Sequence, residues 1–349
     1  MLPQILLFLA VLLPQQTDAL EQEWNAALAL KQQSKWSEAA AAFEAFAKAH
    51  ADQPRATQAL IEESVCWIGL AKTQQLLHQN TPESSATFQK AGALVQRLVT
   101  DKPADVFVPR AKYLVGQVAL YLGDAQGARE IFDAALKATP AGDEYIAKFL
   151  DRRAYARRML LDNQGAAADL EESLKLRPGA DPEDPARRAL RYVQALDKPA
   201  PAWHAEHWAL SEPLPPEVYS GDVVVLFFLG SWCDKCAHEK EYEKDLRKRY
   251  EPLGVHFVGV VQPFQQHNGK TRHTLESFTA FGAASGYGFP LLLDAGDGPG
   301  ATATAFGCES LPDMVVIDRA GRVRWHDHPA NLLDVTLQML LAEKLDKPR

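Results

Sequence analysis

Between about Leu20 and Leu196 the chain repeats a helical pattern, and such repetition narrows the available folds more than any single motif does. The stretch is rich in Ala, Leu, Gln, Glu, Lys and Arg, residues that favour helix. Its clearest unit runs from Ala111 to Pro140, with Gly116, Ala119, Gly123, Ala128, Phe132, Ala135 and Pro140 at telling intervals. Gly116 and Ala128 are small where two helices would cross, and Gly123-Asp124 suits the turn between them. Phe132 would fill the groove, and Pro140 stops the second helix. A helix pair of this size cannot bury its apolar face alone, so copies must stack.

The spacing of those residues resembles a tetratricopeptide repeat. A second copy ends in Leu170, Ser173 and Pro178, with Ala154 and Ala166 at the small positions and Asp162-Asn163 at the turn. A third, nearer the N-terminus, has Ala39, Phe43 and Phe46 after Trp36; Gly69, Phe88 and Ala91 outline a degenerate unit with a longer turn through Asn80-Thr81-Pro82. A helix from Pro185 to Leu196 is expected to close the array. The resemblance implies a concave face for a peptide or partner protein, and none of the matched positions selects one.

The chain of 349 residues suits two domains. A formal charge of −8 with no concentrated basic stripe argues against nucleic acid as the main partner. Residues 1–19 read as an export signal: Ile5 to Leu13 is an apolar run, Pro14 breaks it, and Thr17-Asp18-Ala19 offers small residues for cleavage. The n-region has no Lys or Arg, so an uncleaved membrane anchor is the competing reading. Either way the expected location is extracytoplasmic, periplasmic in a two-membrane envelope, where a reactive dithiol needs upkeep.

Lys198-Pro199-Ala200-Pro201 breaks the helical pattern. The expected organisation is therefore an all-α repeat array over 20–197, a Pro-rich linker over 198–208, and a three-layer α/β domain over 209–349. Trp203-His204 and His207-Trp208 read as a hydrophobic strap, since no thiol or carboxylate nearby completes a metal set. In the α/β part, Val223 to Leu229 is an apolar run without alternation, hence a strand buried on both faces. Trp232-Cys233-Asp234-Lys235-Cys236 follows it and opens a charged helix expected over Ala237 to Tyr250. That junction puts Cys233 at a helix N-terminus, where unpaired N–H groups and the dipole favour a thiolate, with Cys236 one turn inward.

The set Gly230 to Cys236, Phe289 to Asp294, Phe306 to Pro312 and Ile317 to Gly321 resembles the exported thioredoxin-fold reductases of the TlpA/ResA type, over roughly Trp208 to Leu341. The resemblance implies that Cys233 is the exposed nucleophile and Cys236 the resolving thiol. It implies that Pro312 is a cis-proline facing the pair, and that the backbone of Leu311 pairs with an extended substrate segment. Trp232 would shield the pair and shape the docking surface. Glu239, three residues past Cys236, matches a carboxyl beneath the active site and is the expected proton relay to Cys236. Lys235 and Glu241 stand where the family often has proline, and Phe227 stands where ordinary thioredoxins bury an aspartate.

The expected activity is reduction of protein disulfides, with no cofactor, no resident metal and a separate electron-donor protein, since no Gly-rich nucleotide site follows a suitable strand. Cys66 and Cys308 are expected to be buried small hydrophobes. The competing functions are an interaction scaffold with an accessory thiol domain, a metal carrier using Cys233 and Cys236, and a peroxidase. The last lacks the lone cysteine in a Pro and Thr setting that such chemistry requires.

Overall fold

The computed structural model describes residues 19–76, 79–181, 184–214, 216–266, 269–308, 310–328 and 332–343. The signal-like segment lies outside them, apart from Ala19. The chain divides into two compact units, Met1–Gly179 and Ala180–Arg349.

The first unit is a stack of helices. α1 is described over 19–32, followed by α2 (Trp36–Ala49), α3 (Pro54–Thr73), α4 (Pro82–Asp101), α5 (Val108–Tyr121), α6 (Ala125–Ala138), α7 (Tyr145–Met159) and α8 (Asn163–Leu176). Each helix from α2 to α8 packs on its sequence neighbours, and α3 on α5 and α5 on α7 add contacts between alternate helices. That is how stacked pairs bury a continuous core.

Three of the turns share one backbone solution. Ser34, Gly123 and Leu161 adopt φ of 57°, 82° and 62°. The residues after them, Lys35, Asp124 and Asp162, take φ near −80° with ψ of 65°, 75° and 68°. Their N–H groups return to Leu30, Ala119 and Arg157 carbonyls at 2.9–3.0 Å, a Schellman-type close. Asp124 and Asp162 then cap the following helix by accepting from Gly127 and Gly165 N–H. Gly116 explains its own smallness: a Cβ there would stand 2.4 Å from the Phe132 ring. Phe43, Phe88 and Phe132 are fully buried, as expected of groove-filling positions.

The second unit begins earlier than the sequence suggests. α9 (Pro185–Ala195), expected to close the array, belongs to the second unit, where it packs on β6 (Val323–Asp327) of the sheet. The reason is its apolar face: Ala186, Tyr192 and Val193 are buried, and the Tyr192 hydroxyl donates to Asp313 at 2.7 Å. Nor are residues 198–208 a free spacer. Val323 N–H bonds the Lys198 carbonyl, Ala200 N–H bonds Gly321, and Ala205–Ala209 is a strand, β1. Trp203 and Trp208 do pack against the core as a strap would.

The remaining elements are β2 (Val223–Leu229), α10 (Asp234–His238), α11 (Lys240–Tyr250), β3 (Val255–Val261), α12 (Leu275–Ser285), β4 (Leu291–Asp294), α13 (Ala301–Phe306), β5 (Asp313–Ile317), β6 and α14 (Leu332–Ala342). The six-stranded sheet runs β1-β4-β3-β2-β5-β6. β2 to β3 and β3 to β4 are parallel; β2 to β5, β5 to β6 and β1 to β4 are antiparallel. β2 is buried at every residue, which its unbroken Val, Leu and Phe run requires of a central strand. Leu226, Phe228, Val258, Leu292, Phe306 and Val315 form the core of one face. The architecture is the α/β thioredoxin fold that the resemblance implies, preceded by an all-α repeat array.

Candidate active site

The C-terminal end of β2 delivers the chain into a tight turn, where Cys233 N–H bonds the Gly230 carbonyl at 3.0 Å. Cys233 is the N-cap of α10, and its Sγ accepts the Cys236 N–H at 3.0 Å. Cys233 and Cys236 are joined as a disulfide. Cys233 is 8% exposed and Cys236 1%, so an attacking sulfur reaches the first and not the second. Once the bond opens, the same N–H and the helix dipole favour negative charge on Cys233 Sγ.

The loop between α13 and β5 meets this turn. The Leu311-Pro312 bond is cis. Leu311 and Trp232 crowd over Gly230 so closely that a Cβ there would meet them at 3.1 and 2.9 Å. Trp232, Cys233, Asp234, Lys235 and Leu311 line one cleft of about 730 Å³, with Gln262, Phe264 and Ser310 among the other walls. Such a mixed apolar and amide surface suits an extended peptide. Behind the cleft, the His328 ring bonds the Pro312 carbonyl through Nδ1 and Ser310 Oγ through Nε2 at 3.1 Å.

Glu239 stands apart from the cleft wall. The expected continuous helix over Ala237 to Tyr250 is interrupted at this residue, between α10 and α11, although no proline stands at 241. Its N–H still bonds the Lys235 carbonyl and its own carbonyl receives Glu243 N–H, so the chain keeps its direction through the break. The side chain is half-buried.

Other polar groups around the dithiol were not singled out in the sequence. Glu243 is fully buried on α11 and faces Arg247, whose Nε lies 3.4 Å away. Burial pushes its carboxyl up to about 7, against the pull of Arg247. Seven residues past Cys236, it follows the same helical periodicity that pointed to Glu239, so one further turn of counting would have reached it. Tyr287 donates its hydroxyl to the Cys236 carbonyl at 3.3 Å and packs edge-on against Phe227; it has no signature in sequence. Nor does His273, whose Nε2 lies 2.9 Å from Ser231 Oγ in the turn before Cys233. Burial holds the His273 pKa below the ordinary imidazole value, which favours the neutral ring.

The other cysteines lie as expected. Cys66 and Cys308 are buried and outside the disulfide. Burial pushes the Cys66 thiol up to about 12, so at neutral pH it is an inert core residue.

Residues 196–326 match the AhpC/TSA family model. The chain is similar to the thiol-disulfide oxidoreductase ResA of Geobacillus thermodenitrificans, 30% identical over 106 residues, which cover 30% of this chain and 54% of that protein. ResA of Geobacillus kaustophilus is 29% identical over the same length and shares. The matched segment thus spans about half of these relatives. Among solved structures, a thioredoxin-like superfamily protein is 26% identical with a TM-score of 0.38, covering 42% of this chain and 97% of its own. A thiol-disulfide isomerase from Corynebacterium glutamicum is 23% identical with a TM-score of 0.37, covering 42% and 98%.

Proposed function

We propose that this chain, whose C-terminal unit is a thioredoxin-like domain related to the ResA oxidoreductases, is an exported enzyme that reduces disulfides in client proteins. The observation that carries the reading is the placing of Cys233: a helix N-cap sulfur, accepting a backbone N–H, on the wall of a cleft that also holds Leu311 before a cis-proline. A scaffold would have no need to line an open cleft with one sulfur of a pair while keeping its partner 1% exposed.

In the reduced state the Cys233 thiolate attacks one sulfur of the client disulfide. A Cys233–client bond forms, the client S–S bond breaks, and the departing client thiolate takes a proton. Cys236 loses its proton and attacks Cys233 Sγ, forming the internal disulfide and releasing the second client thiol. Two electrons pass to the client, and a dithiol donor protein returns them. Trp232, Leu311 and Pro312 are assigned to docking the client segment. Glu239 is assigned the transfer of a proton to or from Cys236, with its position at the α10–α11 break as support. An unchanged Cys236 titration and exchange rate in Glu239→Gln would remove that role.

The repeats are assigned to holding the client or a partner, which raises its effective concentration at the dithiol. Export rests on the apolar run Ile5 to Leu13; among the described residues no helix is long and apolar enough to cross a membrane. The deciding experiment is dithiothreitol-driven reduction of insulin by the full chain. Turnover that is lost in Cys233→Ser, and a mixed disulfide that accumulates on a Cys236→Ser trap, support the reading. A full chain no faster than dithiothreitol alone sinks it.

A further inference from the structure

Where β5 and β6 pair beside the loop after α13, three side chains with metal-ligating atoms meet inside the second unit. Cys308 comes from the loop after α13, Asp313 opens β5 directly after Pro312, and His326 lies on β6 in register with Val315. They are 3%, 0% and 1% exposed. Cys308 Sγ lies 3.6 Å from His326 Nε2, the same nitrogen lies 3.1 Å from Asp313 Oδ2, and the three donor atoms all fall within 4.8 Å of one another.

One imidazole nitrogen therefore faces both a thiol and a carboxylate. As a hydrogen-bonding atom Nε2 either donates one proton or accepts one, so it serves one of these neighbours well and the other poorly. A cation at the point where the three lone pairs converge serves all of them at once. The two edges that meet at His326 Nε2, 3.6 Å to Cys308 Sγ and 3.1 Å to Asp313 Oδ2, lie close to the tetrahedral edges of roughly 3.3–3.6 Å that bonds of about 2.0 Å to N and O and about 2.3 Å to S give. Charge fits too, because a thiolate and a carboxylate together neutralise a divalent ion, and Cys308 belongs to an apolar cluster with Phe228, Phe306 and Val315 where net charge is expensive. The donors are also held in place beforehand. The Tyr192 ring stacks on the His326 ring at 3.6 Å, and its hydroxyl bonds the same Asp313 Oδ2, the kind of outer partner that orients ligands.

We propose that Cys308 Sγ, Asp313 Oδ2 and His326 Nε2 form a structural site for a divalent ion of the zinc class, with one remaining corner for an oxygen ligand. The mixed sulfur, nitrogen and oxygen set selects zinc over calcium or magnesium. Binding displaces the Cys308 proton. Because Cys308 and Asp313 flank Leu311 and Pro312, the ion ties the docking loop to β6 and to α9. It is separate from Cys233 and Cys236, which stay joined to each other.

The test uses the full chain with its Cys233–Cys236 disulfide intact, and cobalt(II) as the probe. The expected result is one cobalt per chain with a thiolate-to-cobalt charge-transfer band, kept in Cys66→Ala, lost in Cys308→Ser and His326→Ala, and weakened roughly tenfold or more in affinity in Tyr192→Phe. Zinc should also raise the melting temperature of the unmutated chain. Absence of the band in the unmutated protein overturns the proposal without depending on how any variant folds. So does a band that survives in a folded Cys308→Ser protein.

Discussion

The helical array and the α/β unit are built on opposite plans. In the array each helix from α2 to α8 packs on its sequence neighbours, and what recurs is a turn. In the α/β unit the dithiol at 233 and 236 depends on Tyr287, Leu311 and Pro312, brought beside it by a sheet whose central strand pairs with β3 on one side and β5 on the other. Local construction makes the first unit tolerant and easy to copy. Non-local construction makes the second fragile, and it is also what gathers distant reactive groups into one place.

The largest test of this contrast compares two buried rings. Phe132→Ala and Phe228→Ala should each destabilise the unit that holds them by about 3–5 kcal/mol. Followed by separate denaturation probes, the array variant should lower only the array transition and leave thiol-disulfide exchange intact, whereas the sheet variant should lower both its transition and its exchange rate. One shared transition for both variants would break the comparison.

Next in size is Glu243. Its carboxyl titrates near 7 when folded and near 4.5 otherwise, so between these values the folded unit keeps a proton that the unfolded chain gives up. Stability of the α/β unit should therefore fall as pH rises from about 4.5 to 7 and stay low above that. Glu243→Gln should flatten this slope and add about 1–3 kcal/mol at pH 8. The array transition should not respond, and urea melts at several pH values decide it.

Smaller effects belong to the turns. Asp124→Ala or Asp162→Ala removes a helix cap and should lower array stability by about 1 kcal/mol. Smallest is Leu161→Gly, which relieves a left-handed residue that is 49% exposed; a gain of about 0.5–1 kcal/mol in array melting is expected. A loss there would mean that the Leu161 side chain contributes more than its backbone strain takes away.

What could be read in the sequence follows the same division. The helix pairs, their Phe and small-residue positions and the Gly123-Asp124 turn were legible because each is settled within a few dozen residues. Cys233 at a strand-to-helix junction and the cis bond at Pro312 were legible because they travel as motifs. The home of α9 was not, since an amphipathic helix after a repeat array looks like its cap until Tyr192 is seen against Asp313 and His326. Strand β1 was hidden because Trp203 and Trp208 read as packing residues, while its pairing partner Leu291 to Asp294 lies far along the chain. The interruption at Glu239 carries no proline to announce it. Cys308, Asp313 and His326 are unremarkable in sequence and become a set only when β5 and β6 pair.

The turn solved alike at Ser34-Lys35, Gly123-Asp124 and Leu161-Asp162 has a bearing on how such a chain can change length. Two of these corners share the same Asp cap and the same returning hydrogen bond. A segment cut from one corner to the next and spliced in again would meet a joint already shaped to receive it. The number of modules can thus drift while the α/β unit is left untouched.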